Sequence, residues 1–187
     1  MIIGLDIETT GLDCSKNRII ELCMGIHDNG GKTIKYVTMR FNPKQPIDPK
    51  SQAVHHITFE ELVAEPEFKD KAAQIGAILS KADLIVIHNA QFDAPFVKTE
   101  LERFGVKAPH VPVYDTMVES RWATPDGKWP RLGELCWALD VDYDTEAAHA
   151  ADYDVKCMMD CFFKTIELGF FSEKVQAFDE IEPSERK

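Results

Sequence analysis

Met1-Ile-Ile-Gly-Leu-Asp6-Ile-Glu8-Thr-Thr-Gly11-Leu12 opens the chain, and the rest is organised around it. Ile2, Ile3, Leu5 and Ile7 mark a buried strand, and Thr9-Thr10-Gly11 breaks it. Side chains two apart share a face of a strand, so Asp6 and Glu8 project together. Two carboxylates side by side in an apolar setting repel, and one is forced neutral unless a cation lies between them. A hard divalent ion on the carboxylate oxygens is the usual remedy, and Mg²⁺ is the usual ion. The competing reading is a solvated edge strand with two stray acids. It is the weaker one, because the four aliphatic residues leave little room for a wet strand.

The chain has 187 residues, enough for one domain with a sizeable core. No stretch is long and apolar enough to span a bilayer, and the start lacks the basic region of a signal peptide. The expectation is a cytoplasmic protein without membrane contact. A net charge of −11 argues against coating nucleic acid by charge alone. It leaves room for an enzyme that grips one strand end and offsets the repulsion with metals. Cys14, Cys23, Cys136, Cys157 and Cys161 are odd in number and form no CxxC pair, which reads as reduced thiols rather than disulfides or zinc. Cys157 and Cys161, one helical turn apart, read as packing.

After the first strand, alternation predicts strands over 18–27 and 33–41, joined at the Asn29-Gly30-Gly31 turn. Residues 42–49 read as a proline-punctuated loop. Thr58 and Glu61 form a capping box for a short helix, and a longer helix is expected after Pro66, through Leu79. Leu84-Ile85-Val86-Ile87 reads as a buried parallel strand. A helix follows it, with Pro95 expected in the first turn. A fifth strand is expected over 111–114, and helices over 115–122, 132–139 and 147–168. The fold class is therefore α/β: a mixed five-stranded sheet flanked by helices, with one domain over 1–168 and a polar tail over 169–187.

Two more acids join Asp6 and Glu8. Asp93 opens a helix just after a buried strand, where sites gather in α/β sheets. Asp154 belongs to the packed side of the last helix, and His149 precedes it by five residues. Singly, a helix-start Asp is a cap and a His before a helix is a surface residue. The ordered set of acid-x-acid, a later acid, then HxxxxD is far more specific.

That set resembles the three motifs of the DEDDh subgroup of 3′–5′ exonucleases, the family of the polymerase epsilon subunit, ribonuclease T and oligoribonuclease. The matching stretches are Asp6-x-Glu8-Thr9-Thr10-Gly11, His88-Asn89-Ala90-x-Phe92-Asp93 and His149-x-Ala151-x-x-Asp154. Residues 46–58, Asp115-Thr116 and 132–136 fit the same pattern. Ala150 stands where the sister subgroup has Tyr, which indicates the histidine type. His56 stands where many relatives have Gly, and Arg131 where many have a small polar residue. The resemblance implies a ribonuclease-H-like fold. It implies two Mg²⁺ or Mn²⁺ ions on Asp6, Glu8, Asp93 and Asp154, about 4 Å apart, with His149 as general base. It places Thr9, Thr10, Gly11, Leu12, Val54 and His55 around the terminal nucleotide. His88 and Asn89 read as structural, and Asp152 as facing elsewhere.

The expected substrate is a nucleic acid 3′ end, with single-stranded DNA preferred over RNA and a polymerase or repair partner on a separate chain. The rivals are an exoribonuclease trimming short RNAs and a binding module on an inactive nuclease scaffold. The full set of acids speaks against the latter. Arg121-Trp122 to Lys128-Trp129-Pro130-Arg131 interleaves cations with indoles, a composition suited to single strands. Trp122 reads as helix packing, and Trp129 stays open between packing and base stacking.

Overall fold

The computed structural model describes residues 1–146, 150–172 and 174–184. Three strands lead the chain: β1 (Ile2–Thr9), β2 (Ile19–His27) and β3 (Thr33–Arg40), with both neighbouring pairs antiparallel. β4 (Leu84–Ile87) and β5 (Pro112–Asp115) then add in parallel, β4 directly beside β1. The sheet order is β3-β2-β1-β4-β5-β6.

The sixth strand corrects the five expected. β6 (Gln176–Ala177) pairs antiparallel with β5, and the turn at Phe178–Glu180 and Ile181 follow. Phe178 and Ile181 are buried in the main core, so the stretch after 168 is not simply a polar tail. A two-residue strand carries no alternation, which is why the sequence pattern misses it.

Helices cover both faces. Between β3 and β4 lie α1 (Pro49–His55), α2 (Phe59–Leu62) and α3 (Ala72–Leu79). The Thr58–Glu61 capping box of α2 is present. α1 falls partly in the segment read as a loop. Its signal is Asp48-Pro49, an N-cap followed by a proline at the first helical position. His56 ends α1 at φ 60, a left-handed position where a side chain costs about 1 kcal/mol, which gives Gly its advantage there. The helix expected after Pro66 is split by Lys71 into a turn at Phe68–Asp70 and α3.

After β4 comes α4 (Ala90–Arg103), with Pro95 inside the helix rather than in its first turn. α5 (Thr116–Glu119) and the turn Arg121–Ala123 replace the longer helix expected there. α6 (Leu132–Ala138) and α7 (Ala151–Glu167) follow. One core joins β1, β2 and β4 to α3, α4 and the Phe178 segment. On the opposite face, α7 lays Ala151, Val155, Met158 and Phe162 on Cys23, Val86 and Tyr114. Cys157 and Cys161 pack with Leu135 and Cys136 between α6 and α7, and all five cysteines are free thiols. Among the described residues no helix is long and apolar enough to cross a membrane.

Candidate active site

The pairing of β1 with β4 runs only from Ile2 to Gly4, whereas its pairing with β2 continues to Thr9. The distal half of β1 therefore has a free flank beyond the end of β4. Asp6 and Glu8 stand on this half, on the face covered by α7. Asp93, in the first turn of α4, fills part of the vacated flank: its Oδ1 accepts the Ile7 N–H at 3.2 Å. A side chain thus continues the ladder where the strand stops, and a carboxylate is locked beside the other two.

Asp154 arrives from above, on α7. Gly4 and Gly25 are register partners on β1 and β2 beneath that helix. A Cβ on Gly4 would stand 2.6 Å from Met159, and one on Gly25 2.8 Å from Val155. The glycine pair lets α7 lie against the sheet. Ala151, Val155 and Met158 grip that surface, and Asp154 shares their face of the helix.

The four acids line one cleft of about 630 Å³. Its other walls include Val54 from α1, Phe92 from α4, Trp129, Arg131 and Tyr143. The electrostatics agree with the crowding. Glu8 is pushed up to about 9, first by burial and then by the charges of Asp6, Asp154 and Glu21. Asp6 is held well above the usual carboxylate range by burial, then by Asp154 and Glu21, with the Ile7 N–H opposing. Asp93 is raised by burial, then by Asp6 and Glu8. Asp6, Glu8 and Asp93 are each made harder to ionise by burial and by neighbouring acids, which is the condition a divalent cation relieves. The donors are all carboxylate oxygens, which suit Mg²⁺ or Mn²⁺ rather than a soft metal. Among the described residues no three acid, histidine or cysteine side chains stand in a ready-made ion cage. The fit rests on the donor chemistry and the mutual repulsion.

The remaining expected site residues divide. Val54 lines the cleft and is half exposed. Thr9, Thr10, Gly11, Leu12 and His55 do not line it. The Thr10 hydroxyl accepts from the Arg18 N–H and from Gln45 Nε2, and the Thr10 carbonyl accepts from the Asp48 N–H, so Thr10 ties the strand end to two loops. Thr9 Oγ1 donates to the Gly11 carbonyl at 2.7 Å. His55 is buried, its Nδ1 accepts from the Ile57 N–H at 3.0 Å, and burial lowers its pKa. Leu12 is 82% exposed. Asp152 is exposed and does not line the cleft. His149 lies outside the described residues.

The loop behind the acids is clamped by a residue whose role the sequence did not disclose. Asp115, at the end of β5, accepts from the N–H groups of Asn89 and Ala90 and from those of Met117 and Val118. It is both the cap of α5 and the tie to the start of α4, so it sets the position of Asp93. Its sequence signals are the Asp115-Thr116 match to the family pattern and a place between a strand and a helix like that of Asp93, and neither tells what it binds. His88 is half-buried near Asp115, with Nδ1 2.9 Å from Thr116 Oγ1, and desolvation of its ring drops its pKa to about 4. Asn89 sits at φ 78 in the left-handed region. Both residues also line the acid cleft, and His88 is tied to the Thr116 side chain rather than to the loop backbone.

Known proteins share this arrangement of strands. The structure resembles exonuclease I, with a TM-score of 0.76 at 18% identity over 89% of this chain and 40% of the other. It also resembles exonuclease X in complex with 5′ overhanging duplex DNA, at 0.66 and 22% over 92% and 96%. At those identities the likeness is one of fold, here the ribonuclease-H-like fold. Over 177 residues the chain is 30% identical to the PolC-type DNA polymerase III of Mycoplasmopsis pulmonis. It spans only 10–12% of the length of such polymerases. The DNA polymerase III epsilon subunit of Treponema pallidum is 31% identical over 85% of this chain and 73% of its own length. Residues 3–162, from β1 into α7, match the RNase_T exonuclease family, and so take in every acid of the cleft. By both the match and the epsilon likeness, the chain belongs to that exonuclease family.

Proposed function

We propose that this chain is a metal-dependent 3′–5′ exonuclease that hydrolyses the terminal phosphodiester of single-stranded DNA and releases nucleoside 5′-monophosphates. The observation that carries the reading is the meeting of Asp6, Glu8, Asp93 and Asp154 around one cleft, with burial and mutual repulsion holding the first three above their ordinary range. These four residues would hold two Mg²⁺ or Mn²⁺ ions. When bound, the ions would supply Lewis-acid stabilisation of the phosphate and of the leaving 3′-oxygen.

The chain's own residues do the rest. Asp93 fixes the end of β1 through the Ile7 N–H, and Asp115 fixes Asp93. Val54 faces the terminal nucleotide, with the Thr9–Leu12 loop and His55 as its support. His149 takes the proton of the attacking water on an imidazole nitrogen, because its ordinary pKa lies nearest neutrality. The choice of DNA is supported by the DNA polymerase relatives, as is a polymerase or repair partner on another chain.

Matched DNA and RNA oligomers with Mg²⁺ or Mn²⁺ test the substrate, and faster release of mononucleotides from RNA would reverse the preference. His149→Ala tests the base. It should cost roughly 10²–10⁴-fold in kcat with KM and Mn²⁺ affinity nearly unchanged, and the rise of rate through the histidine titration should vanish. A variant with wild-type kcat and pH profile removes His149 from the mechanism.

A further inference from the structure

Any strand longer than the cleft must leave it across one of its walls. Two hollows adjoin the wall built by residues 129–134. One, of about 610 Å³, contains Trp137, which is 85% exposed, but its charged residues are Asp126 and Glu134 against Lys128 alone. A phosphodiester backbone is repelled there. The other, of about 490 Å³, is lined by Met117, Arg121, Lys128 and Trp129, with two cations and no acid. Met117 and Trp129 also line the acid cleft, so this hollow continues it. On a chain of net charge −11, a cationic pocket joined to the cleft is a local exception.

The hollow is also built in advance. Arg121 Nε donates to the Gly127 carbonyl at 2.6 Å, and the Thr124 hydroxyl donates to the Lys128 carbonyl at 2.8 Å. These bonds close the 121–128 loop upon itself. Among the described residues no hydrogen bond engages the terminal nitrogens of Arg121. Lys128 Nζ pairs with Glu134 Oε1 at 2.7 Å, with both side chains well exposed. Such a pair is worth little and exchanges readily for a phosphate.

We propose that this hollow is the subsite for the strand that leads away from the scissile bond, with a phosphate between Arg121 and Lys128 and a base against Trp129. Its ligand is single-stranded nucleic acid, held by one or two phosphates and a ring face, which reads no sequence. The assignment rests on the exonuclease reading above, because it takes the acid cleft as the place of cleavage.

The test compares two substrates on Arg121→Ala, Lys128→Ala and the double variant. One is a nucleotidyl ester of a dye, whose leaving group is too small to fill the hollow. The other is a ten-nucleotide thymidine oligomer. The double variant should raise KM tenfold or more for the oligomer and less than threefold for the ester. It should also flatten the salt dependence of oligomer binding by about 0.7 in log–log slope per lost phosphate contact. Trp129→Ala should weaken oligomer binding roughly 5- to 150-fold, and Trp129→Phe should restore most of it. Binding is read by fluorescence anisotropy in EDTA, independently of turnover. A wild type that hydrolyses neither substrate yet binds the oligomer through Arg121 and Lys128 would sink the exonuclease reading and keep the subsite. Oligomer binding and salt slope within twofold of wild type in the double variant would overturn the subsite. So would equal losses on both substrates, or tighter binding of a duplex than of a single strand.

Discussion

Glu100 and Glu8 are both carboxylates turned into the body of the protein, and the chain treats them in opposite ways. Glu100, on α4, is 1% exposed. Arg18 holds both of its oxygens, with Nη2 3.0 Å from Oε2, and Arg103 reaches Oε1 at 2.7 Å. Glu21, 4% exposed on β2, is likewise met by Arg40 Nε at 2.6 Å. Glu8 has acids for neighbours instead, and among the described residues no ion pair engages Asp6, Glu8 or Asp93. Where a buried acid serves the architecture, this sequence supplies an arginine. In the cleft it supplies more acid. The compensation there comes from retained protons or, on the function proposed above, from a bound cation, and such a cluster in a cleft is the pattern of a working site rather than of packing.

The comparison breaks most visibly at Asp154. Asp154→Asn removes one carboxylate from the cleft and should lose several kcal/mol of transition-state stabilisation, roughly a thousandfold or more in turnover of a nucleotidyl ester dye with Mg²⁺ or Mn²⁺. Full turnover in that variant would dismiss the acid cluster as the reactive centre. Glu100→Gln should act on stability alone. It leaves two arginines without their partner and should cost about 3–5 kcal/mol in urea unfolding at neutral pH, the range for broken buried pairs. A loss below about 1 kcal/mol would mean that the arginines find water instead.

Glu8→Gln should have the opposite sign. The Glu8 pKa is raised to about 9 from an ordinary 4.5. Below pH 4.5 the carboxyl is protonated in both states and costs nothing. Between 4.5 and about 9 the folded protein must keep a proton that the unfolded chain releases, so stability falls as pH rises through that window. Metal-free Glu8→Gln should therefore gain about 1–3 kcal/mol over wild type at pH 8, the linkage being discounted for relaxation of the site. The gain should fade near pH 4. Added Mg²⁺ should raise the Tm of wild type more than that of the variant, because only an ion bound to the native state stabilises it. Equal stability of the two proteins from pH 5 to 8 would contradict the crowding of the cleft.

How much of this was legible beforehand follows from the length of each signal. β1 announces itself by four aliphatics in six residues, and its two acids share a face by strand geometry alone. The β4–α4 junction and α7 are equally long patterns, so Asp93 and Asp154 could be placed without coordinates. β6 and the Phe178 turn could not, because two residues of strand and one buried ring leave no periodicity. Within the Thr9–Leu12 loop, expected around the terminal nucleotide, the Thr10 hydroxyl accepts from the Arg18 N–H and from Gln45. Which polar loop residues serve the backbone and which face a cavity is settled by hydrogen bonds between segments far apart in sequence. Asp115 illustrates the same limit: its type and place match Asp93, but it spends its oxygens on backbone N–H groups.

The smallest expected effect refines the comparison, because it lies on the border between the two regimes. Arg40, Glu21 and Glu8 are successive register partners across β3, β2 and β1. One arginine therefore neutralises the acid that stands next to the metal-seeking one. Arg40→Met keeps most of the apolar stem and deletes the charge. Glu21 then stays buried without its cation, and the protein should lose about 1 kcal/mol, a modest figure because Arg40 is 39% exposed. The cleft should gain what the fold loses. With Glu21 uncompensated, the field at Glu8 becomes more negative, and Mg²⁺ should bind more tightly, by less than about threefold. Two strand spacings separate Arg40 from Glu8, roughly 10 Å, which is about one Debye length at 0.1 M salt. Calorimetric titration with Mg²⁺ should thus show the tightening at low ionic strength and lose it at high ionic strength. Weaker Mg²⁺ binding in Arg40→Met would mean that Arg40 holds the strand in shape rather than tuning its charge.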